Sequence, residues 1–254
     1  MDWSVLTLFF MITGRMTGFV VFNPLFGRRG IPGMVKAGLV LLLSVTVFSI
    51  YPGRLQIPGS MLALGLTFLL EMALGYVLGL VMNIFFYIPL LAGSTIDTQM
   101  GLSMGATYDP ATGIQVTASS TLLNVLMTML FFMSNGHHTL IRIMVNSSRM
   151  VPFGQVTLAP EVAGVVVELF INCTVLGIKL CMPILAAELL GQVGMGILMK
   201  AIPQINVFAI NIELKVIIGL SLLLALLTPF SEFLLGVENE MLYAIQRVLP
   251  AMAA

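Results

Sequence analysis

The sequence predicts an all-α integral membrane protein with about six to seven hydrophobic helical segments. Three observations predict it. Hydrophobic residues make up 59% of the 254 and charged residues only 9%, where a soluble domain carries about 25% charged residues. Mean hydropathy is +1.07, more apolar surface than one core of this size can hide, so a bilayer must supply part of the solvent. The apolar residues also fall in long runs separated by short connections.

The first run extends from Val5 to about Phe26, the second from Ala37 to Tyr51 and the third from Met61 to about Ile96. The fourth covers Ala118 to Ser134, the fifth Val162 to Leu190 and the sixth Val207 to Phe230. Met1-Asp2-Trp3 lacks a basic leader, and no small-residue cleavage site follows, so the first run is expected to remain as a span.

The third run is too long for one crossing. As a single helix it would reach roughly 54 Å against about 30 Å of hydrocarbon. It also contains Glu71, Gly75, Gly79, Asn83 and Pro89. A broken helix or a helical hairpin is expected there, packed inside an assembly and not against lipid. If it crosses twice, the positive-inside rule puts two basic connections in the cytoplasm: Arg28, Arg29 and Lys36 in one, Arg142 and Arg149 in the other. The loop with Asp97 and Asp109 would then be periplasmic. From Ser231 to Leu249 the tail is amphipathic: Leu234, Met241, Ile245 and Val248 form a stripe, with Glu232, Glu238 and Glu240 off it. An interfacial helix or a docking helix for a neighbouring subunit fits this pattern. No soluble domain, low-complexity segment or sequence repeat is evident, so residues 1–254 read as one membrane domain.

Charge inside apolar helices is costly, about 2.5 to 3.5 kcal/mol for a central Asp, Lys or Arg on insertion scales. Arg15, Glu71, Glu168, Lys179, Glu188, Glu213 and Lys215 all lie in or near the apolar runs. That is too many for lipid-facing helices, so they are expected to face partners, water or other subunits. Glu168 and Lys179 share a helix face but lie roughly 16 Å apart along the axis, so they cannot pair. No chain of acids and histidines suggests a proton or ion relay.

Other chemistry is thin. His137 and His138 are adjacent, a spacing unsuited to a metal site. No nucleophile, acid–base pair or phosphate-binding glycine loop appears, so no enzyme activity, cofactor or metal is expected. Zero net charge argues against nucleic acid. Cys173 and Cys181 lie roughly 12 Å apart along one helix, too far for a disulfide.

Two small-residue pairs at four-residue spacing, Gly14/Gly18 and Gly75/Gly79, favour close helix approach in a membrane. The 19 methionines offer adaptable packing, either as core filling or as a deformable seal around a pore. The stretch from Gly101 to Gly113 is rich in turn residues yet nearly uncharged. It reads as an exposed loop or as a buried, pore-covering segment.

Four stretches in register resemble the FliR family, called SctT in virulence systems. Phe22-Asn-Pro-Leu-Phe-Gly27, followed by Pro32 and Lys36-Ala-Gly-Leu39, resembles its first loop. Ile96-Asp-Thr-Gln-Met-Gly101, followed by Asp109-Pro110, is similar to its central motif. Leu130 to His137, with Ser147 and Pro152-Phe-Gly154, resembles the next. Lys200-Ala-Ile-Pro-Gln-Ile-Asn206, with Leu214-Lys215 and Gly219, resembles the last.

The resemblance implies a non-enzymatic core subunit of the flagellar type III protein export gate, in the bacterial inner membrane at the flagellar basal body. It implies a fold arranged as helical hairpins with broken helices, like a FliP-like subunit fused to a FliQ-like one. The implied partners are FliP-type and FliQ-type subunits around a single copy of this chain, FlhB-type and FlhA-type subunits, membrane lipid and unfolded flagellar substrates. By position, Gly101, Met104, Gly105, Tyr108, Asp109, Pro110 and Gly113 would belong to a loop plugging the closed entry pore. Met100 and Met104 would join a methionine gasket. The alternative, a self-contained polytopic secondary transporter, would show an inverted repeat with broken helices near the midplane. The sequence gives a break in the third run and no matching break in the other half.

Overall fold

The computed structural model describes residues 3–51, 59–102, 107–109, 114–157, 159–201 and 207–252. Among them the chain forms eight α-helices: α1 (Trp3–Phe22), α2 (Gly33–Ile50), α3 (Met61–Met100), α4 (Ala118–Met133), α5 (Gly136–Met150), α6 (Pro160–Ala201), α7 (Val207–Ala225) and α8 (Leu227–Val248). A 3-10 turn at Pro250–Met252 follows. The all-helical expectation holds apart from one short ribbon. Strands β1 (Thr107–Asp109) and β2 (Ile114–Val116) pair antiparallel, with Tyr108 opposite Gln115.

Helices α1, α2, α3 and α6 are each long and apolar enough to cross a membrane alone. The other candidates are bent pairs. Helix α4 meets α5 at 68°, and α7 (from Glu213) meets α8 at 61°. A long helix followed by a bent pair therefore occurs twice in chain order.

The breaks fall where local chemistry puts them. Asn135 adopts φ 61°, ψ 24° between α4 and α5, a left-handed conformation that asparagine tolerates better than most residues. Pro229 lies in the first turn of α8, where its missing N–H has no intrahelical role.

The third run is unbroken, which corrects the expected hairpin. Helix α3 continues for 40 residues through Pro89. Gly75, Gly79 and Gly93 seat against neighbours, and the one backbone donor lost at Pro89 does not stop a helix packed in protein. The double crossing that would place both basic connections on one face is therefore absent. Arg142 and Arg149 lie not in a loop but on α5. Helix α6 extends past the expected Leu190 to Ala201.

The chain forms two compact units. The first holds Met1–Phe85, Asn135–Phe170 and Asn239–Ala254. Its core includes Met11, Ile12, Met16 and Phe19 of α1, Leu74 and Leu78 of α3, Leu140 of α5, and Met241 and Ile245 of α8. The two glycine pairs meet here. A Cβ at Gly18 would strike the Met72 carbonyl, one at Gly75 the Arg15 carbonyl, and one at Gly79 the Phe22 backbone. Hydroxyls on α1 are spent locally: Thr7, Thr13 and Thr17 donate to the carbonyls of Trp3, Phe9 and Thr13 at 2.7 to 2.8 Å. The first loop caps itself, with Asn23 Oδ1 accepting from the Leu25 N–H at 2.8 Å and the Phe26 N–H at 3.2 Å. Lys36 Nζ donates to the Gly27 carbonyl at 2.8 Å.

The second unit holds Phe86–Ser134 and Ile171–Glu238. Phe86, Ile96, Leu123, Phe131, Leu180, Ile184 and Leu234 are buried in it. Gly93 of α3 approaches the backbone of Ser119 and Ser120 on α4. Cys173 and Cys181 are buried and not joined in a disulfide.

Candidate functional site

The most developed polar site lies in the first unit, around Arg15. Its guanidinium is fully buried on α1, and Glu71, equally buried, comes from α3. Arg15 Nε donates to Glu71 Oε2 at 2.7 Å. Arg15 Nη1 donates to Ser147 Oγ of α5 at 3.1 Å, and Nη2 donates to the Val151 carbonyl at 3.0 Å. The Phe153 ring covers the guanidinium, 4.3 Å from carbon to centroid. Glu71 Oε1 accepts from the Gly154 N–H at 2.7 Å.

Both ions are thus paired and further hydrogen-bonded, the condition under which a buried pair persists. The arrangement binds α1, α3, α5 and the segment from Val151 to Gly154 into one polar knot. Sequence reasoning found Arg15 and Glu71 from the cost of charge. Ser147 and the glycine N–H carried no such signal.

A second polar junction, in the other unit, lies at the base of the central loop. Asp97 belongs to the last turn of α3, not to the loop where the sequence placed it, and is fully buried. Its Oδ2 accepts from the Ser119 N–H at 2.8 Å, and its Oδ1 accepts from Ser119 Oγ–H at 2.5 Å. A carboxylate at the first turn of α4 satisfies one of its otherwise unpaired donors and complements its dipole. Gly101, at φ 82°, then turns the chain out of α3. The backbones of Tyr108 and Asp109 lie in β1. Met104, Gly105, Pro110 and Gly113 lie outside the described residues. Met100 is buried with its sulfur against Gly219 of α7.

The remaining charges separate. Glu188 on α6 is buried, and neither oxygen has a hydrogen-bond partner among the described residues. Lys215 on α7, half-buried, is the cation acting on it electrostatically. Glu168, Lys179 and Glu213 are exposed. Glu238, expected off the apolar stripe of the tail, is instead buried and accepts a hydrogen bond from Ser134. The stripe residues Leu234, Met241, Ile245 and Val248 are buried within this chain, where the sequence suggested a face for the membrane interface or for a neighbouring subunit. The His137 and His138 rings lie 4.1 Å apart, and among the described residues no group of three or more His, Cys, Asp or Glu could hold a metal.

Eight helices, several able to span a bilayer, and ionic side chains buried between them define a multi-pass helical membrane protein. Residues 6–241 match the family described as bacterial export proteins, family 1. The chain belongs to that family, and the resemblance of its loop motifs pointed there. It is 29% identical to the flagellar biosynthetic protein FliR of Escherichia coli (strain K12), over 97% of this chain and 95% of that protein. It is 30% identical to FliR of Pectobacterium carotovorum subsp. carotovorum, over 92% and 90% of the two chains. For FliR of Bacillus subtilis (strain 168) the identity is 29%, over 85% and 84%.

Proposed function

We propose that this chain is a non-enzymatic core subunit of the flagellar type III protein export gate in the bacterial inner membrane. Residues 1–254 act as one membrane domain, a single copy of which assembles with FliP-type and FliQ-type subunits into the closed entry pore for unfolded flagellar substrates. FlhB-type and FlhA-type subunits are its further neighbours at the basal body. Membership of the export family supports this reading.

One observation carries it beyond membership. Helices α3 and α6, at 40 and 42 residues, are each roughly 60 Å long, twice the hydrocarbon thickness of about 30 Å. Fitting either within lipid would need a tilt near 60°, outside the usual range of about 0–40°. Yet α6 exposes large apolar side chains along most of its length, from Val167 to Met199. Lipid cannot cover all of that surface, and neighbouring protein chains can.

The loop from Gly101 to Gly113 serves in this proposal as the pore plug, with Met100 and Met104 in the gasket. That assignment rests on the family resemblance. The twice-repeated pattern of long helix and bent pair is the observation that favours a self-contained secondary transporter instead. Co-expression of tagged chain with FliP-type and FliQ-type partners, followed by native mass spectrometry in detergent, separates the two. The gate reading expects a discrete complex with one copy of this chain among several partner copies. A stable monomer or homodimer that ignores those partners would overturn it in favour of the transporter.

A further inference from the structure

The part of α6 in the second unit carries an exposed apolar stripe. Ile171, Val175, Ile178, Met182, Leu189 and Val193 are all exposed and recur at helical spacing along one face. Lys179, also exposed, borders that stripe. No described residue forms an ion pair with it.

Two features make Lys179 more than a stray surface charge. It lies near the middle of α6, about 28 Å from Pro160 and about 33 Å from Ala201 along the axis. A lysine stem reaches only about 6 Å, so in a bilayer centred on this helix the ammonium cannot snorkel to either headgroup layer. Pro183 follows four residues later inside the same helix. It has no N–H to give to the Lys179 carbonyl. An ammonium lacking an acceptor and a carbonyl lacking its helical donor therefore belong to one residue on an apolar face.

We propose that this face docks a membrane helix of a different chain, bearing an Asp or Glu at the depth of Lys179 with a hydroxyl or amide donor beside it. Lipid tails offer neither an acceptor nor a donor. A second copy is disfavoured by symmetry. Two copies related by a two-fold axis along the membrane normal would set Lys179 against Lys179. A carboxylate on a foreign helix answers the ammonium, and its apolar neighbours answer the stripe. The inference rests on the gate reading for its setting and adds the chemistry of the partner at this face.

The test replaces Met182 with a photo-crosslinking amino acid in the full chain, in native membranes containing the gate subunits. The expected adduct maps by mass spectrometry to a membrane helix with an acidic residue within one turn of the attachment point. Lys179→Glu should lower its yield about tenfold, with recovery when the partner's acid is replaced by lysine. Lys179→Leu, an apolar helix former, should lower it similarly while the chain remains in the membrane at normal levels. Attachment to lipid, to a second copy or to a helix without an acid overturns the proposal, as does undiminished yield with Lys179→Leu. Lipid attachment in a chain that still co-purifies with FliP-type and FliQ-type partners sinks this inference alone. Failure to co-purify sinks the gate reading, and an acidic adduct on some other protein would leave the docking inference standing.

Discussion

Arg15 and Glu71 meet 2.7 Å apart with neither side chain reaching solvent, 56 positions apart in sequence. Removing one partner leaves the other buried and uncompensated. Glu71→Ala is expected to destabilise the protein by about 3–5 kcal/mol. The double variant Arg15→Met, Glu71→Leu should recover much of that loss, because no charge is stranded. Thermal unfolding in detergent across the double-mutant cycle measures the coupling, and strictly additive losses would show that the pair does not act as a unit.

The glycine pairs differ in what stands against them. A Cβ at Gly18 meets the Met72 carbonyl, whereas one at Gly14 meets only the ring of Phe68. Backbone cannot yield as a side chain can. Gly18→Ala should cost about 1–3 kcal/mol and Gly14→Ala less. Gly38, with nothing within 4 Å, should accept alanine with a gain of about 0.5–1 kcal/mol. Equal melting temperatures for the variants at positions 14 and 18 would contradict the close approach of α1 and α3.

Asp97 holds the first turn of α4 from a neighbouring helix. Asp97→Ala is expected to cost about 1–2 kcal/mol, as for loss of a helix cap. Its signature is local. Hydrogen exchange should rise first at Ser119 to Thr121, while amides of α1 remain protected.

Asn135 supplies the left-handed residue at the bend between α4 and α5. Asn135→Gly should be neutral within a few tenths of a kcal/mol, and Asn135→Val should cost about 1–2 kcal/mol. Similar stability of the two variants would mean that the bend is set by packing alone.

Deleting Ala106 to Thr112 tests the plug. Patch or vesicle conductance should increase while the purified complex keeps its composition. Unchanged conductance would count against the assignment.

Much of the fold was legible in the sequence, because long apolar runs are a strong signal. The polar sites were legible in part. A buried Arg15 and an exposed Lys179 carry the same signal, a charge in an apolar run. The polar face that would distinguish a buried from an exposed position is missing where nearly every neighbour is apolar. Asp97 looked like a loop residue because Thr98, Gln99 and Gly101 surround it, and its tertiary contact with Ser119 leaves no local signal. In α3, Gly75, Gly79 and Pro89 read as breaks. Both glycines instead face close neighbours, an interaction outside the reach of local propensity.

The Arg15–Glu71 contact also imposes an order in time. Helix α1 is synthesised before α3, and Arg15 enters the membrane carrying a charge whose counter-ion has yet to be translated. Until α3 emerges, neither that charge nor the small-residue face of α1 has its seat. The final placement of the newborn α1 therefore waits on chain made tens of residues later. A truncation ending before Glu71 should leave the first helix a substrate for membrane quality control, degraded faster than one ending after α3.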